Sequence, residues 1–125
     1  MDRHELNSLN PLQLAFIGDS VFELAVRERL LHESKCSVAE LNKKKVKLVS
    51  CSAQAAMAAK LLPLLSDGET AVYKRGRNAK TNTVPRNAEI SDYHSATGLE
   101  ALFGYLYLSG NTARLHELIG ICTDI

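Results

Sequence analysis

The sequence contains no tryptophan, only three cysteines, and no apolar run long enough to cross a membrane. A membrane-spanning helix needs roughly 20 consecutive apolar residues, and the opening residues 1–11 are polar where a signal peptide would be apolar. The cysteines, Cys36, Cys51 and Cys122, are odd in number and lack a C-x-x-C pair, which argues against a disulfide framework and a zinc site. We therefore predict a cytoplasmic protein, with no membrane partner, whose thiols are reduced.

Strand-length alternation of polar and apolar residues is also missing, and the dominant spacing of apolar residues is helical. Residues 11–33 follow an Asn-Pro start signal and carry apolar side chains three and four positions apart, which predicts a long helix. Further predicted helices are 37–50, 52–62, 67–75, 91–110 and 111–122, bounded by Ser37, Pro63, Gly76 and Gly110. With 125 residues, of which 46% are hydrophobic, the chain 1–125 is expected to form one all-α domain, a helical bundle.

Acidic residues are absent from two stretches that hold most of the positive charge. Residues 74–87 carry five basic side chains and residues 43–47 carry four, so these stretches hold nine of the fifteen Lys and Arg residues. The five in the first stretch are Lys74, Arg75, Arg77, Lys80 and Arg86. Because the formal net charge is only +1, this segregation predicts a basic face suited to a polyanion.

Most of the first stretch lies in residues 77–90, whose Asn and Pro content predicts one long loop. A solvated loop with incidental charge is the plainest interpretation, whereas a long loop inside a small domain is often functional. Arginine binds phosphate oxygens with two donors, and Asn78, Thr81 and Asn82 have groups that bond to sugars or base edges. Tyr73 is the one aromatic residue nearby, so a nucleic-acid duplex is favoured over a single strand.

Two acids interrupt apolar helices, where a charge is costly to bury without a partner. Asp19 has Glu23 one turn later, and Glu100 lies among small residues that would let another helix approach closely. Gly18 also suggests close packing, since glycine inside a helix costs about 1 kcal/mol relative to alanine. If these faces meet, Asp19, Glu100 and Glu23 form an oxygen-rich site of the kind that binds Mg²⁺.

Ion pairing explains the same two acids without a metal. Asp19 and Glu100 would then pair with basic side chains such as Arg27 or Lys60 at a helix boundary. Their spacing alone does not decide between the two interpretations. The four histidines add nothing to the metal hypothesis, because their spacing is not that of metal ligands.

Two helical segments together resemble the ribonuclease III family. The family's signature helix, approximately E-R-L-E-F-L-G-D-[AS]-V-L, resembles LQLAFIGDSVFELAVRERLL, and its second acidic helix, D-x-x-E-A-L-[IL]-G, resembles ATGLEALFGYLYL. With KRGRNAK between them and no double-stranded RNA-binding domain following, the chain is similar to the small branch of the family, Mini-ribonuclease III. The resemblance extends from about Leu9 to Leu118 and implies the ribonuclease III endonuclease domain fold.

The resemblance implies roles for individual positions. Asp19 matches the signature aspartate and Glu100 the glutamate of the second helix, which makes them the expected catalytic residues and ligands of Mg²⁺, with Mn²⁺ as a substitute. Two acids of the larger enzymes are replaced by Ala15 and Thr97, a reduced set that fits the small branch. Glu23 is left as a further ligand or as a group that supports the ligands. The residues implied to bind RNA are Lys74, Arg75, Arg77, Asn78, Lys80 and Arg86.

The implied activity is hydrolysis of double-stranded RNA to 5′-phosphate and 3′-hydroxyl ends. The implied substrate is the duplex stem joining the two ends of the large-subunit (23S) ribosomal RNA precursor, with a ribosomal protein as a candidate assistant. The resemblance also implies a homodimer whose signature helices pack across a two-fold axis. Phe16, Ile17 and Phe22 are the candidate interface residues, since large apolar side chains exposed in a lone protomer would be unfavourable.

Two rival functions come from other classes of protein. A catalytically silent ribonuclease III-like domain would bind structured RNA as a ribosome assembly factor, and the missing acids at Ala15 and Thr97 are its best argument. A helical scaffold without an RNA partner is less consistent with the clustered basic residues. Metal-dependent cleavage distinguishes the enzyme from the silent binder, and a steep loss of binding with added salt distinguishes RNA binding from scaffolding.

Overall fold

A computed structural model describes residues 1–81 and 84–124 of the chain, and those ranges fold into helices without a strand. The helices are α1 (Arg3–Ser8), α2 (Pro11–Glu33), α3 (Val38–Val49), α4 (Cys51–Leu61), α5 (Asp67–Arg77), α6 (Ile90–Leu108) and α7 (Thr112–Thr123), with a 3₁₀ turn at Leu62–Leu64. The all-α prediction is therefore confirmed. Asn82, one of the polar loop residues singled out above, lies outside the described residues.

The helix starts follow from side chains that satisfy the first backbone N–H groups. Asn10 accepts from the backbone of Gln13, whose side chain accepts in return from the Asn10 backbone, and Ser66 forms the same reciprocal pair with Glu69. Ser37 accepts from the Glu40 N–H, as predicted. The short helix α1 was not predicted, because a single buried side chain, Leu6, gives no apolar period.

The predicted end of α5 was wrong by two residues. Gly76 does not close the helix, which continues to Arg77. Gly76 is instead buried against α6, where an added Cβ would lie 2.7 Å from the Cβ of Ala101 and 2.9 Å from the Cα of Gly98. As a result, Arg77 lies on the last turn of a helix rather than in the predicted loop 77–90.

The core is built around the pairing of α2 with α6, against which α4, α5 and α7 pack. The rings of Phe22 and Phe103 stack with their centroids 5.4 Å apart at the centre of this pairing. The largest fully buried side chains around them are Leu61, Leu99, Leu102, Leu118, Ile119 and Val26. Within the described ranges, no helix has the length and apolar character needed to cross a bilayer.

Helices α2 and α6 touch backbone to backbone at two glycines. A Cβ added to Gly18 would lie 1.7 Å from the carbonyl oxygen of Glu100, and one added to Gly104 would lie 2.0 Å from the carbonyl oxygen of Leu14. Favourable contacts between carbon atoms occur at about 3.5–4.0 Å, so no side chain fits at either position. The two absent side chains therefore fix how closely the helices approach.

Arg114, a partly buried residue of α7, joins that helix to the start of α5. Arg114 donates to both carboxylate oxygens of Glu69, each at 2.9 Å, and to the carbonyl oxygen of Leu64 at 2.8 Å. It also pairs with Glu117. Hydrogen bonds from the guanidinium of Arg114 lower the pKa of Glu69, as expected for a forked ion pair. This clamp orients α5, the helix that carries part of the basic stretch.

Replacing Gly18 or Gly104 with alanine is expected to lower the free energy of unfolding by at least about 3 kcal/mol, because each methyl group would overlap a backbone carbonyl. Gly68 provides a matched control, since an added Cβ there meets nothing within 4 Å. Gly68→Ala should leave stability unchanged or raise it by up to about 1 kcal/mol. Urea denaturation of the three variants measures these differences, and equal stabilities would contradict the proposed crossing.

Candidate active site

The close crossing of α2 and α6 brings the two predicted acids together. The added Cβ of Gly18 would overlap the backbone of Glu100, so Asp19, the next residue on α2, lies beside Glu100 on α6. Asp19 is exposed and Glu100 is half-buried. Burial, followed by the charge of Asp19 and a hydrogen bond with Asp19, raises the pKa of Glu100 to about 8. Glu100 therefore resists ionisation at neutral pH.

A third polar side chain at this point was not found by sequence reasoning. Gln54 on α4 is only 3% exposed and donates from Nε2 to the carbonyl oxygen of Val49 at 3.0 Å and to Oε2 of Glu100 at 3.5 Å. The latter hydrogen bond lowers the pKa of Glu100, against the effects of burial and Asp19. The sequence signal for Gln54 is a glutamine among the alanines of α4, because glutamine is seldom found on a buried helix face.

The two positions where the larger enzymes carry acids are buried and make no polar contact with the acidic pair. Ala15 packs in a small apolar cluster with Leu14 and Ala101. Thr97 donates from Oγ1 to the carbonyl oxygen of Tyr93 at 2.9 Å. Across the described residues, no group of three or more His, Cys, Asp or Glu side chains is arranged to hold a metal ion. The site offers two carboxylates, and any further ligands would come from water or substrate.

Glu23 makes ion pairs and does not contact Glu100 in the described contacts. Its carboxylate is 2.8 Å from the Arg27 guanidinium and 3.7 Å from the ammonium of Lys45. It lines the same shallow cleft as Asp19, one helical turn away. Glu23 therefore balances two cations at the edge of the site.

The ion-pairing interpretation of the two acids is not supported for the cations proposed. Arg27 bonds to Glu23, and Lys60 lies 3.2 Å from a carboxylate oxygen of Asp124. Among the ion pairs of the described residues, neither cation reaches Asp19 or Glu100. Neither Arg27 nor Lys60 therefore neutralises the charge of the two acids.

The predicted RNA-binding residues occupy the end of α5 and the segment after it. Lys74 and Arg75 are exposed on the helix, while Arg77 places its guanidinium 5.8 Å from the centre of the Tyr73 ring. Arg77 also donates to Oδ1 of Asn78 at 3.3 Å. Both contacts hold Arg77 against the helix end, so the planar group is presented in a fixed direction.

The remaining two basic residues, Lys80 and Arg86, are exposed on either side of residues 82 and 83. Arg86 lines a polar cleft of about 560 Å³ together with Cys51 and Asp92. Burial, followed by the charges of Glu100 and Asp92, raises the pKa of the Cys51 thiol. Cys51, which lines this cleft, is therefore within electrostatic range of Glu100.

A face of α2 remains uncovered next to the acidic pair. Phe16 is 81% exposed, and Leu24 and Leu31 are exposed on the same helix. Ile17 and Leu24 line an apolar groove of about 390 Å³ that continues to α7. The candidate interface residue Phe22 was wrong, because its side chain is only 1% exposed and stacks in the core.

Comparisons with known proteins agree with this architecture. The family model described as Ribonuclease III domain matches residues 12–111. A Mini-ribonuclease 3 from Symbiobacterium thermophilum is 43% identical over 117 residues, covering 94% of this chain and 90% of that protein. A Mini-ribonuclease 3 from Brevibacillus brevis is 43% identical over 123 residues, covering 95% and 92%.

A crystal structure of a protein from Fusobacterium nucleatum is similar in fold, with a TM-score of 0.83 and 31% identity over 91% of each chain. The family match spans most of the chain and includes both segments that carry Asp19 and Glu100. These similarities confirm the family expected from the two sequence motifs. The chain belongs to the ribonuclease III family, with the Mini-ribonuclease 3 proteins as its relatives, and is an endoribonuclease.

Proposed function

We propose that the protein hydrolyses double-stranded RNA with Mg²⁺ held by Asp19 and Glu100. The observation that carries this proposal is the pair of carboxyl groups that the helix crossing forces together, one of them half-buried. Burial and the neighbouring Asp19 raise the pKa of Glu100 to about 8, which is the behaviour of an acidic pair that lacks a compensating cation. A divalent cation would relieve this repulsion and favour the ionised form of both groups.

The residues present suit a hard cation that retains several water molecules. Two carboxylates completed by water molecules are a ligand set that Mg²⁺ prefers, and Mn²⁺ accepts the same set. When bound, the metal supplies the Lewis acidity that activates water and stabilises charge on the phosphodiester. Asp19, which is exposed, would be the acid more accessible to substrate, while Glu100 is half-buried. Attack of water on the phosphorus would break the bond from phosphorus to the 3′ oxygen, which takes up a proton, and leave a 5′ phosphate and a 3′ hydroxyl.

The exposed basic residues supply the duplex contacts in this proposal. Lys74, Arg75, Lys80 and Arg86 are exposed, and Arg77 is held in place by Tyr73 and Asn78. Phosphate contacts of this kind position a duplex without selecting its sequence. Substrate choice would then come from RNA shape, consistent with recognition of the A-form helix through its backbone.

The uncovered face of α2 supports the proposal of a homodimer. Phe16, Leu24 and Leu31 form an exposed apolar stripe beside Asp19, and a patch of this kind is typical of an interface. A two-fold axis across α2 would place one acidic pair in each protomer, so that the dimer cuts both strands. The whole chain would then act as one catalytic domain.

The proposed biological substrate is the stem that joins the ends of the large-subunit (23S) ribosomal RNA precursor, cut in the cytoplasm at both ends. This assignment extends the family resemblance and the duplex preference of the basic residues. A ribosomal protein that shapes the stem would fit a chain whose exposed cations contact backbone alone. The rival function is an inactive RNA-binding assembly factor, favoured only by the absence of acids at Ala15 and Thr97.

Asp19→Asn and Glu100→Gln are each expected to slow cleavage of a labelled duplex RNA in Mg²⁺ by about 100-fold or more, because each removes a charged metal ligand. Glu33→Gln, at the exposed end of α2, is the matched control and should cut like the wild type. If the wild-type protein binds the duplex but does not cut it in the presence of any divalent metal, the inactive rival is established instead.

The double variant Lys74→Ala/Arg75→Ala should bind duplex RNA more weakly, with the larger loss at low salt. Each lost phosphate contact should reduce the slope of log affinity against log salt by roughly 0.7 to 0.9. Lys60→Ala is the control, because Lys60 already pairs with Asp124. Filter binding across a salt series measures both slopes; identical slopes for the double variant and the wild type would argue against RNA contacts here.

Phe16→Glu is expected to convert the dimer to a monomer of 13.7 kDa, because it would place a charge in the apolar stripe. Leu64→Glu is the control, as Leu64 is also exposed but lies on the 3₁₀ turn. Light scattering after size-exclusion chromatography gives the masses. A wild-type protein that is monomeric at micromolar concentration would contradict the proposed interface.

A further inference from the structure

Gln54 is a buried polar residue on α4 that the proposed reaction does not yet use. It is 3% exposed and lies between the end of α3 and Glu100. We propose that Gln54 is a positioning residue: its amide orients the Glu100 carboxylate, and its carbonyl oxygen accepts a hydrogen bond from water on the bound divalent cation. This inference rests on the proposed metal site at Asp19 and Glu100.

The carbonyl oxygen of Val49 fixes which way the amide points. Val49 is the last residue of α3, so its carbonyl lacks a partner within the helix. Gln54 Nε2 donates to that oxygen at 3.0 Å. The reverse orientation would place the amide oxygen of Gln54 against another acceptor, where no hydrogen bond forms. The NH₂ group is therefore held on the side that faces Val49 and Glu100.

The second N–H of the same group is directed at the Glu100 carboxyl. Nε2 lies 3.5 Å from Oε2, which is at the long end of hydrogen-bond distances. A group that can only donate at this position favours the charged carboxylate, which is the form a metal ligand requires. Hydrogen bonds at reaction sites often shorten once the bound state forms. The amide thus defines the orientation in which Glu100 meets the cation.

The carbonyl oxygen of the same side chain has no hydrogen-bond partner among the described residues. Oε1 of Gln54 is fully buried and accepts from no protein group. A buried acceptor without a donor is unfavourable, and native structures usually supply one. Water molecules bound to Mg²⁺ are strong donors, and Mg²⁺ keeps several of them in protein sites. A water molecule on a cation beside Glu100 is the donor that the proposed metal site would bring to Oε1.

Gln54→Met tests the proposal, since methionine has a similar volume and shape but lacks both the donor and the acceptor. The measurements are Mn²⁺ binding to the full chain without RNA, by electron paramagnetic resonance, and the Mg²⁺ concentration that gives half-maximal cleavage. We expect both affinities to weaken by about 10- to 100-fold, as for outer groups that orient metal ligands. Excess Mg²⁺ should restore much of the lost rate, and duplex binding without metal should not change.

Ser50→Ala is the matched control for damage to the α3–α4 junction. Ser50 caps α4 by accepting from the Ala53 N–H at 3.2 Å and makes no contact with Glu100 in the described hydrogen bonds. It should lower thermal stability and leave Mn²⁺ affinity unchanged. Equal metal affinities in Gln54→Met and the wild type would overturn the proposal. So would an equal loss of affinity in Ser50→Ala, because the effect would then come from the junction.

A second measurement needs no change at Gln54. In ¹⁵N-labelled wild-type protein, the side-chain amide signal of Gln54 should shift on addition of Mg²⁺, and the shift should vanish in Asp19→Asn. An amide signal that ignores Mg²⁺ while Mn²⁺ binds would overturn the role of Gln54 alone. Failure of Asp19→Asn and Glu100→Gln to weaken Mn²⁺ binding would instead overturn the metal site on which the inference rests.

Discussion

The contact of α2 with α6 through two glycines is the constraint on which the rest of the molecule depends. Gly18 and Gly104 allow the backbones to meet at distances that no side chain permits. This contact sets the Phe22–Phe103 stack at the centre of the core, and it also decides where Asp19 lies relative to Glu100. Stability and chemistry therefore depend on the same few ångströms of helix separation.

The crossing has an electrostatic cost. Two carboxyl groups are brought together, one of them half-buried, and the pKa of Glu100 rises to about 8 through burial and the proximity of Asp19. Folding energy from the surrounding apolar core offsets this repulsion. Perturbed acids of this kind often mark functional sites, since the groups are arranged for a ligand rather than for stability. Glu23, by contrast, is balanced by Arg27 and Lys45 and resembles an ordinary surface network.

Sequence reasoning reached the fold and the acidic pair because both leave local signals. Apolar spacing and capping residues gave the helices from α2 to α7, and the signals for Asp19 and Glu100 were charges inside apolar helices. Gln54 was missed because its role depends on two contacts that the sequence does not reveal. Glu100 is 46 residues away, and Val49 is contacted through its backbone carbonyl, which every residue has. Gly76 was misread as a helix end, since a glycine that ends a helix and one that admits a neighbouring helix look the same in one dimension.

The basic residues at the end of α5 lie on a helix that is held at both ends. Arg114 bonds to Glu69 at its start, and Gly76 packs against Gly98 of α6 near its end. The same helix α6 carries Glu100. In the proposed function, the packing of α5 on α6 therefore fixes the distance between the basic residues that bind the RNA and the acidic pair that cuts it. This distance would determine how far from the bound phosphates the RNA is cleaved.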